Sequence, residues 1–184
     1  MKFSQKAAAA ALACAVLFAG NAALAAQVVV DVAGAQSVNS VLEAGNTVWY
    51  VDIGANALLT SLDWAVTLNA FAPSSLSEMQ VSFGRSDGTD LIGFAPGAAD
   101  VVSGTGSYSG SLDLTGWGLG AGADGKLRIE FSESFKDFAP GVAEGAWVSG
   151  TLSFGVSAVP EPSTALMAAL GAGLLAGASR RRRG

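Results

Sequence analysis

The sequence predicts an all-β domain, an antiparallel β-sandwich (jelly-roll-like) of about eight strands, flanked by an N-terminal signal helix and a C-terminal transmembrane helix. Apolar and polar residues alternate in most segments between residues 26 and 158, which is the period of a half-buried strand. Turns containing glycine or proline separate these segments, and none of the segments has a sustained helical period. Short strands joined by such turns are typical of a two-sheet sandwich.

The N-terminal segment has the pattern of a secretory leader. Two lysines precede an uncharged apolar run over residues 7–20, and Ala23 and Ala25 are the small residues that signal peptidase accepts. We therefore expect the Sec translocon to export the chain and signal peptidase to remove residues 1–25.

Two alternatives to a cleaved leader are weaker. An uncleaved membrane helix is opposed by the shortness of the apolar run, which has no stop-transfer flank. A lipoprotein signal at Cys14 is opposed by Leu12, which lies one position too close to the cysteine.

The middle of the chain, residues 26–158, contains eight segments with the strand pattern. In the clearest of them, Leu62, Trp64 and Val66 alternate with small or polar residues. The segments are 27–32, 47–53, 61–68, 79–83, 91–94, 107–114, 127–131 and 148–156. Because they are short and joined by Asp-Gly and Pro-Gly turns, we expect antiparallel pairing.

Three short segments lie in the C-terminal half of this region: 124–129 (DGKLRI), 145–147 (GAW) and 150–154 (GTLSF). They are similar to the closing strands of jelly-roll modules such as the P domain of proprotein convertases. The similarity covers about thirty residues of common types, and it implies a jelly-roll winding and no activity.

The composition excludes most of the side chains that enzymes use for catalysis. The chain has no histidine, and its one cysteine, Cys14, lies in the predicted leader. A Ser-His-Asp triad, a Cys-His pair, a thiolate zinc site and a histidine general base are therefore excluded. Because only carboxylate chemistry remains, we predict that the mature domain is not an enzyme.

Residues 26–159 are strongly acidic. They contain four of the ten Lys and Arg residues and fourteen of the fifteen Asp and Glu residues, which gives a formal net charge of −10. Such a surface repels phosphate backbones, so we expect no nucleic-acid partner.

Four carboxylates near the end of the domain are candidates for a glycosidase site, which needs two such groups beside a sugar bond. They are Glu130, Glu133, Asp137 and Glu144. Lys126, Arg128 and Glu130 recur with the period of a strand, so we expect them on its outward face. Cross-strand pairing and solubility explain these residues more simply than catalysis, and we predict no catalytic residue.

Asp87, Asp90 and Asp100 lie in predicted loops. Without histidine or thiolate, the metal that suits them is calcium, which takes oxygen ligands. Their spacing lacks the alternating Asp/Asn pattern of an EF-hand loop, so surface turns are the simpler interpretation. We predict neither a metal site nor a cofactor, with calcium as the alternative.

Trp117 is the candidate for a ligand contact. It lies in the glycine-rich stretch 114–120 (LTGWGLG), where we expect it to be exposed and able to stack on a sugar ring. Trp64 is in phase with the leucines of its strand, so we expect it in the core.

The C-terminal segment combines extended backbone, an apolar run and a basic cluster. Pro160 and Pro162 favour extended backbone in the residues before them, and Ser163 is a suitable helix N-cap. A helix from Ser163 to Ser179 would be about 25 Å long, which marginally spans a hydrocarbon core of about 30 Å. By the positive-inside rule the residues after it stay cytoplasmic, namely Arg180, Arg181, Arg182 and Arg183.

This order of parts, with Pro160, Glu161 and Pro162 in front, resembles the PEP-CTERM sorting signal over residues 159–184. The resemblance implies cleavage by exosortase, a membrane-embedded transpeptidase-like protease of Gram-negative bacteria that make exopolysaccharide. The same tail is also catalogued under an ice-binding protein C-terminal label, which is no evidence of ice binding. The alternative is a plain tail anchor, which does not require Pro-Glu-Pro at the membrane boundary.

These features predict an exported protein that is transiently anchored by its C-terminal helix and then lies on the cell surface or outside the cell. For the domain at 26–158 we expect a non-catalytic surface or matrix protein associated with exopolysaccharide in a biofilm. The alternative is a carbohydrate-binding module that uses a sheet face or loop aromatics.

Overall fold

The computed structural model describes residues 26–157 and Gly171. The predicted leader at 1–25, with Ala23 and Ala25, lies outside the described residues, and so does the predicted tail at 159–184 apart from Gly171. In the part of the chain that is described, no helix has the length and apolar character needed to cross a membrane.

The described residues form nine strands, and these belong to one compact unit, Ala25–Val159. In chain order they are β1 (Ala26–Asp31), β2 (Ala35–Ser37), β3 (Thr47–Asp52), β4 (Leu58–Ala70), β5 (Met79–Arg85), β6 (Ile92–Phe94), β7 (Gly104–Asp113), β8 (Lys126–Glu133) and β9 (Gly145–Ser157).

The strands are arranged in two antiparallel sheets, which confirms the predicted antiparallel, two-sheet architecture. Sheet A has the order β1-β9-β4-β7, with β2 also paired to β9, and sheet B has the order β3-β8-β5-β6. The pairs are nested along the chain: β1 pairs with β9, β3 with β8, β4 with β7 and β5 with β6. The chain therefore runs as one long hairpin that closes between β5 and β6, and successive parts of the hairpin fall in alternate sheets.

Strand directions place both ends of the domain at one end of the sandwich. Ala26 pairs with Val156, Ser157 pairs with Leu58, and Leu58 also bridges to Gly120. We call this end the terminal pole, and its loops are 53–57, 86–91 and 114–125. The opposite end is the distal pole, and its loops are 38–46, 71–78, 95–103 and 134–144.

The core lies between the inward faces of the two sheets. Its largest fully buried side chains come from both sheets and include Leu62, Leu68, Met79, Phe83, Leu127, Ile129, Phe131, Trp147, Leu152 and Phe154. Phe131 is central, because its ring lies 4.8 Å from that of Trp49 in its own sheet and 4.9 Å from that of Trp147 in sheet A. Both contacts are edge-on, the geometry that aromatic pairs favour.

All eight predicted strand segments lie within or overlap strands of the structure, and β2 is the strand that the pattern did not predict. β2 has three residues, too few to show an alternation. β4 and β9 have 13 residues each, and the pattern predicted only part of each strand. Their pairing contains two irregularities, between Leu59 and Ser61 and between Thr67 and Leu68. Each irregularity breaks the two-residue period that defines a strand in the sequence.

Gly150 lies beside the second irregularity and has a φ of +111°. A Cβ at this position would collide with the backbone of Ala65 and Val66 on the neighbouring strand. Only glycine therefore allows β9 to bend here while remaining close to β4.

We expect Phe131→Ala to lower the free energy of unfolding by about 3–5 kcal/mol, because it removes a buried ring and leaves a cavity between the sheets. Tyr50→Ala is the matched control, since Tyr50 lies on the adjacent strand β3 with 55% of its surface exposed. We expect Tyr50→Ala to lower the free energy of unfolding by less than about 1 kcal/mol. Urea unfolding of both variants is the measurement, and similar losses would contradict the central position of Phe131.

Candidate functional site

Glu130 is buried, so the prediction that it lies on a solvent-facing side of β8 is wrong. Glu130 is 0% exposed and its neighbour Arg128 is 8% exposed. The loop 38–46 covers this face: Glu130 Oε1 accepts hydrogen bonds from the Leu42 amide (2.9 Å) and from Asn46 Nδ2 (2.7 Å). Glu130 Oε2 accepts a hydrogen bond from Arg128 Nη1. With both oxygens bound, Glu130 holds the loop against the sheet.

The other three candidate carboxylates gather at the distal pole. Glu144 is fully buried and accepts hydrogen bonds from the amides of Asp137 (2.9 Å) and Phe138 (3.1 Å). Lys136 Nζ lies 3.8 Å from Glu144 Oε1 and also donates to the Val38 carbonyl. Glu144 therefore organises the loop 134–144.

Glu78, in the loop 71–78, lies near these three carboxylates. Because it is distant from them in the sequence, no local pattern predicts its position. Its Oε2 accepts hydrogen bonds from the Ser75 amide (2.8 Å) and the Ser74 hydroxyl (3.1 Å). Asp137 is exposed, and partial desolvation together with the charges of Glu78 and Glu144 raises its pKa. We call Glu78, Glu133, Asp137 and Glu144 the distal acidic cluster.

Glu133 is the least compensated member of the distal acidic cluster. It is 1% exposed, and neither of its carboxylate oxygens has a hydrogen-bond partner among the described residues. Burial raises its pKa to about 7; the nearby Ser37 hydroxyl opposes the rise, and the charges of Glu144, Glu78 and Asp137 add to it. Ser37 also lacks a well-formed hydrogen bond. The carboxyl group is therefore largely protonated below neutral pH.

This geometry does not resemble the pair of accessible carboxylates that glycoside hydrolysis needs. Glu130 and Glu144 are fully buried and bound to backbone amides, and Glu133 is buried beneath its neighbours. Structural contacts explain Glu130 and Glu144, whereas Glu133 has no hydrogen-bond partner among the described residues.

Asp87, Asp90 and Asp100 each have separate local partners. Asp87 Oδ1 accepts hydrogen bonds from the amide and the hydroxyl of Thr89, at 3.0 and 2.6 Å. Asp90 lies 3.5 Å from Arg85, and Asp100 accepts a 2.8 Å hydrogen bond from the Tyr108 hydroxyl. Between residues 26 and 157 no group of three acidic side chains is placed to hold a metal ion. That no metal or cofactor binds, with calcium as the alternative, stays a prediction.

Trp117 is 52% exposed at the terminal pole, in a well-anchored loop. Leu114 and Leu119 on either side are buried, and the Trp117 amide donates a 3.1 Å hydrogen bond to the Leu114 carbonyl. Gly116 and Gly118 have φ values of +81° and +71°, which glycine adopts without strain. The loop backbone is therefore anchored on both sides of Trp117, and about half of the side chain is exposed.

Trp64 packs against the core, although it is only partly buried. Its ring lies 4.8 Å from that of Phe94, which is also partly buried. The alternation of residues in β4 therefore correctly predicted that the Trp64 side chain points toward the core.

A shallow groove of about 330 Å³ crosses the outer face of sheet A at the bend near Gly150. Its lining includes the hydroxyl groups of Thr67, Ser107, Ser109 and Ser149. No local pattern predicts this groove, because outward polar residues on a strand are typical of any solvated sheet face.

We expect Glu133→Gln to raise the free energy of unfolding above pH 7 and to leave it nearly unchanged at pH 4. The pKa of Glu133 is about 7 in the folded protein, and its ordinary value is 4.5. As the pH rises from 4.5 to 7, Glu133 ionises in the unfolded chain before it ionises in the folded protein, so the wild type loses stability over this range. The full difference between the two pKa values corresponds to about 3 kcal/mol in the free energy of unfolding.

Glu130→Gln is the matched control on the same strand, and we expect it to destabilise the domain at pH 8. Its carboxylate accepts three hydrogen bonds, including one from an arginine, so the amide loses a charge-assisted contact. Urea unfolding at pH 4 and pH 8 measures both variants. A pH-independent effect of Glu133→Gln would contradict the assigned protonation.

Comparison with solved structures gives distant matches to viral proteins. The subviral particle protein VP2 of infectious bursal disease virus is 13% identical over 73% of this chain, with a TM-score of 0.34. The coat protein of tobacco streak virus is 13% identical over 78% of this chain and 92% of its own, with a TM-score of 0.27. The chain spans 33% of the VP2 chain. These values are too low to carry an argument.

No curated protein is significantly similar to this chain in sequence. A family model, described as the PEP-CTERM protein-sorting motif, matches residues 158–183. The match covers the segment in which Pro160, Glu161 and Pro162 resemble that signal. The chain therefore carries a PEP-CTERM protein-sorting motif, the signal of an exported protein that exosortase processes.

Proposed function

We propose that the domain is a non-catalytic surface or extracellular-matrix protein, delivered by the exosortase route and associated with exopolysaccharide in a biofilm. The observation that carries the proposal is the sorting motif at residues 158–183. Export to the surface follows from the motif, whereas the association with exopolysaccharide and the absence of catalysis are the proposed part.

The structural roles of the acidic residues support a non-catalytic domain. Of the four candidate carboxylates, Glu130 and Glu144 are buried and hold the loops 38–46 and 134–144 in place, and Glu133 is buried as well. The nested pairing of the strands also supports the jelly-roll winding, in which two Greek keys make one sandwich.

The position of the two chain ends fits a tethered precursor. Ala26 and Ser157 both lie at the terminal pole, so a leader before Ala26 and a tail after Ser157 are attached at the same end. The proposed partners on this route are the Sec translocon, signal peptidase and exosortase.

We expect replacement of Pro160 and Pro162 by Ala to trap an uncut precursor in the membrane fraction. A protease embedded in a membrane needs an extended peptide at a fixed height, and the two prolines favour that geometry. Replacement of the arginine cluster, Arg180, Arg181, Arg182 and Arg183, by Ala should reduce processing as well, because the charges fix the helix across the membrane.

Immunoblots of membrane and released fractions against the domain test both variants. The matched control is Ser157→Ala, which lies outside the motif and should be released like the wild type. Normal release of the proline variant would show that the motif is not required for processing.

Carbohydrate binding is a second candidate function, favoured by the exposed indole of Trp117 on its anchored loop. A glycine-flanked aromatic ring with half of its surface exposed is able to stack on the apolar face of a sugar. The domain would then bind the exopolysaccharide directly through its terminal pole.

We expect Trp117→Ala to weaken glycan binding by about tenfold, which corresponds to about 1.4 kcal/mol of lost stacking. Tyr50→Ala is the control, because Tyr50 is an exposed aromatic residue on a different surface, in β3. A glycan array with the released protein measures both. Equal binding by wild type and Trp117→Ala would exclude the loop as the site and leave the matrix role standing.

A further inference from the structure

β7 is the longest strand at an edge of either sheet. Among the described strands it pairs only with β4, and it has ten residues. The other strands that pair on one side only, β1, β2, β3 and β6, have six, three, six and three residues. A long edge strand presents a row of backbone groups that are able to pair with another strand.

Every second residue of β7 points its amide and carbonyl away from β4. The Leu114 amide donates to the Thr60 carbonyl, so these two residues form a hydrogen-bonded pair. In an antiparallel pair of strands such pairs recur at every second residue, and the even-numbered residues of β7 therefore bond to β4. The odd-numbered residues face outward, and all of them are exposed: Thr105, Ser107, Ser109, Ser111 and Asp113. Their backbone groups make no backbone hydrogen bond to another residue in the range 26–157.

The usual devices that protect an edge strand are missing from β7. Its sequence, GTGSYSGSLD, contains no proline and no lysine or arginine, and its one charge is the terminal Asp113. Its pairing with β4 is regular over ten residue pairs, with no bulge to twist the edge away. Small side chains leave the backbone accessible along the whole strand.

The sequence of β7 is complementary to itself when two copies pair antiparallel around Ser109. On the outer face, Ser107 then opposes Ser111 of the second copy. On the inner face, Tyr108 opposes Gly110, and Leu112 opposes Gly106. Each bulky inner side chain therefore meets a glycine, whereas pairing around Tyr108 would bring two tyrosines together. The charges also fit, because Asp113 opposes the neutral Thr105.

The inner face beside β7 is incompletely covered. Trp64, Phe94 and Tyr108 pack against the core but remain partly exposed. A strand added to β7 would place Tyr108 and Leu112 of the second copy next to these rings. Pairing would thus bury apolar surface as well as satisfy backbone groups.

We propose that β7 pairs with β7 of a second copy of this chain, antiparallel and centred on Ser109, which joins two A sheets into one continuous sheet. The five outward residues then form about ten backbone hydrogen bonds, two for each hydrogen-bonded pair. The partner is specified by the self-complementary sequence, so the interaction does not depend on the identity of any glycan.

Disulfide trapping in the full chain tests this pairing, in cells that export it and with Cys14→Ala so that the introduced cysteine is the only thiol. In the proposed pairing the two Ser109 Cα atoms are about 5.5 Å apart, which a disulfide spans. We expect Ser109→Cys to form a linked dimer under mild oxidation.

Ser111→Cys is the matched control on the same face of the same strand. Its Cα atom lies about 14 Å from its counterpart, four residues further along the strand, so it should not link. The double variant Ser107→Cys with Ser111→Cys should link, because these positions oppose each other. A Ser109→Cys protein that stays monomeric, or a Ser111→Cys protein that links as readily, would overturn the proposal.

Discussion

The pairing of β4 with β9 is the constraint on which the rest of the structure depends. Both strands have 13 residues, and β9 also pairs with β1 and β2, so the last strand of the domain connects the first strands to the middle of the chain. It places Trp147, Leu152 and Phe154 in the core. It also brings Ala26 and Ser157 to the same pole.

This pairing links folding to export. Because β9 is the last strand, sheet A has only its β4–β7 pair until residues 145–157 have crossed the membrane. Contacts between residues so distant in the sequence form slowly. A sorting motif that starts at residue 158 directly follows the strand that completes the sheet. A tail held in the membrane would keep the domain tethered during that step.

The strands and their antiparallel pairing were predictable from the sequence because their causes are local. Alternation at Leu62, Trp64 and Val66 and turns such as Asp124-Gly125 report directly on the backbone. The surroundings of Glu130 were not predictable, because a loop 84 residues away in the sequence covers it through Asn46. The groove near Gly150 and the open edge of β7 likewise depend on which strands become neighbours.

Glu130 and Glu133 show how strongly residues that are distant in the sequence affect the hydrogen bonding and the pKa of a glutamate. Both lie on β8 and both are buried, but Glu130 accepts three hydrogen bonds whereas Glu133 has none among the described residues. The first stabilises a loop and the second carries a pKa near 7. An acidic domain with a net charge of −10 thus contains a carboxyl group whose protonation supports folding.

Intact-mass analysis of the protein that cells release tests the sorting route most directly. We expect one species that begins after Ala25 and ends within the segment matched by the sorting motif, without Arg183. A released species that still contains Arg183 would contradict processing at this motif and leave the tail as an ordinary anchor.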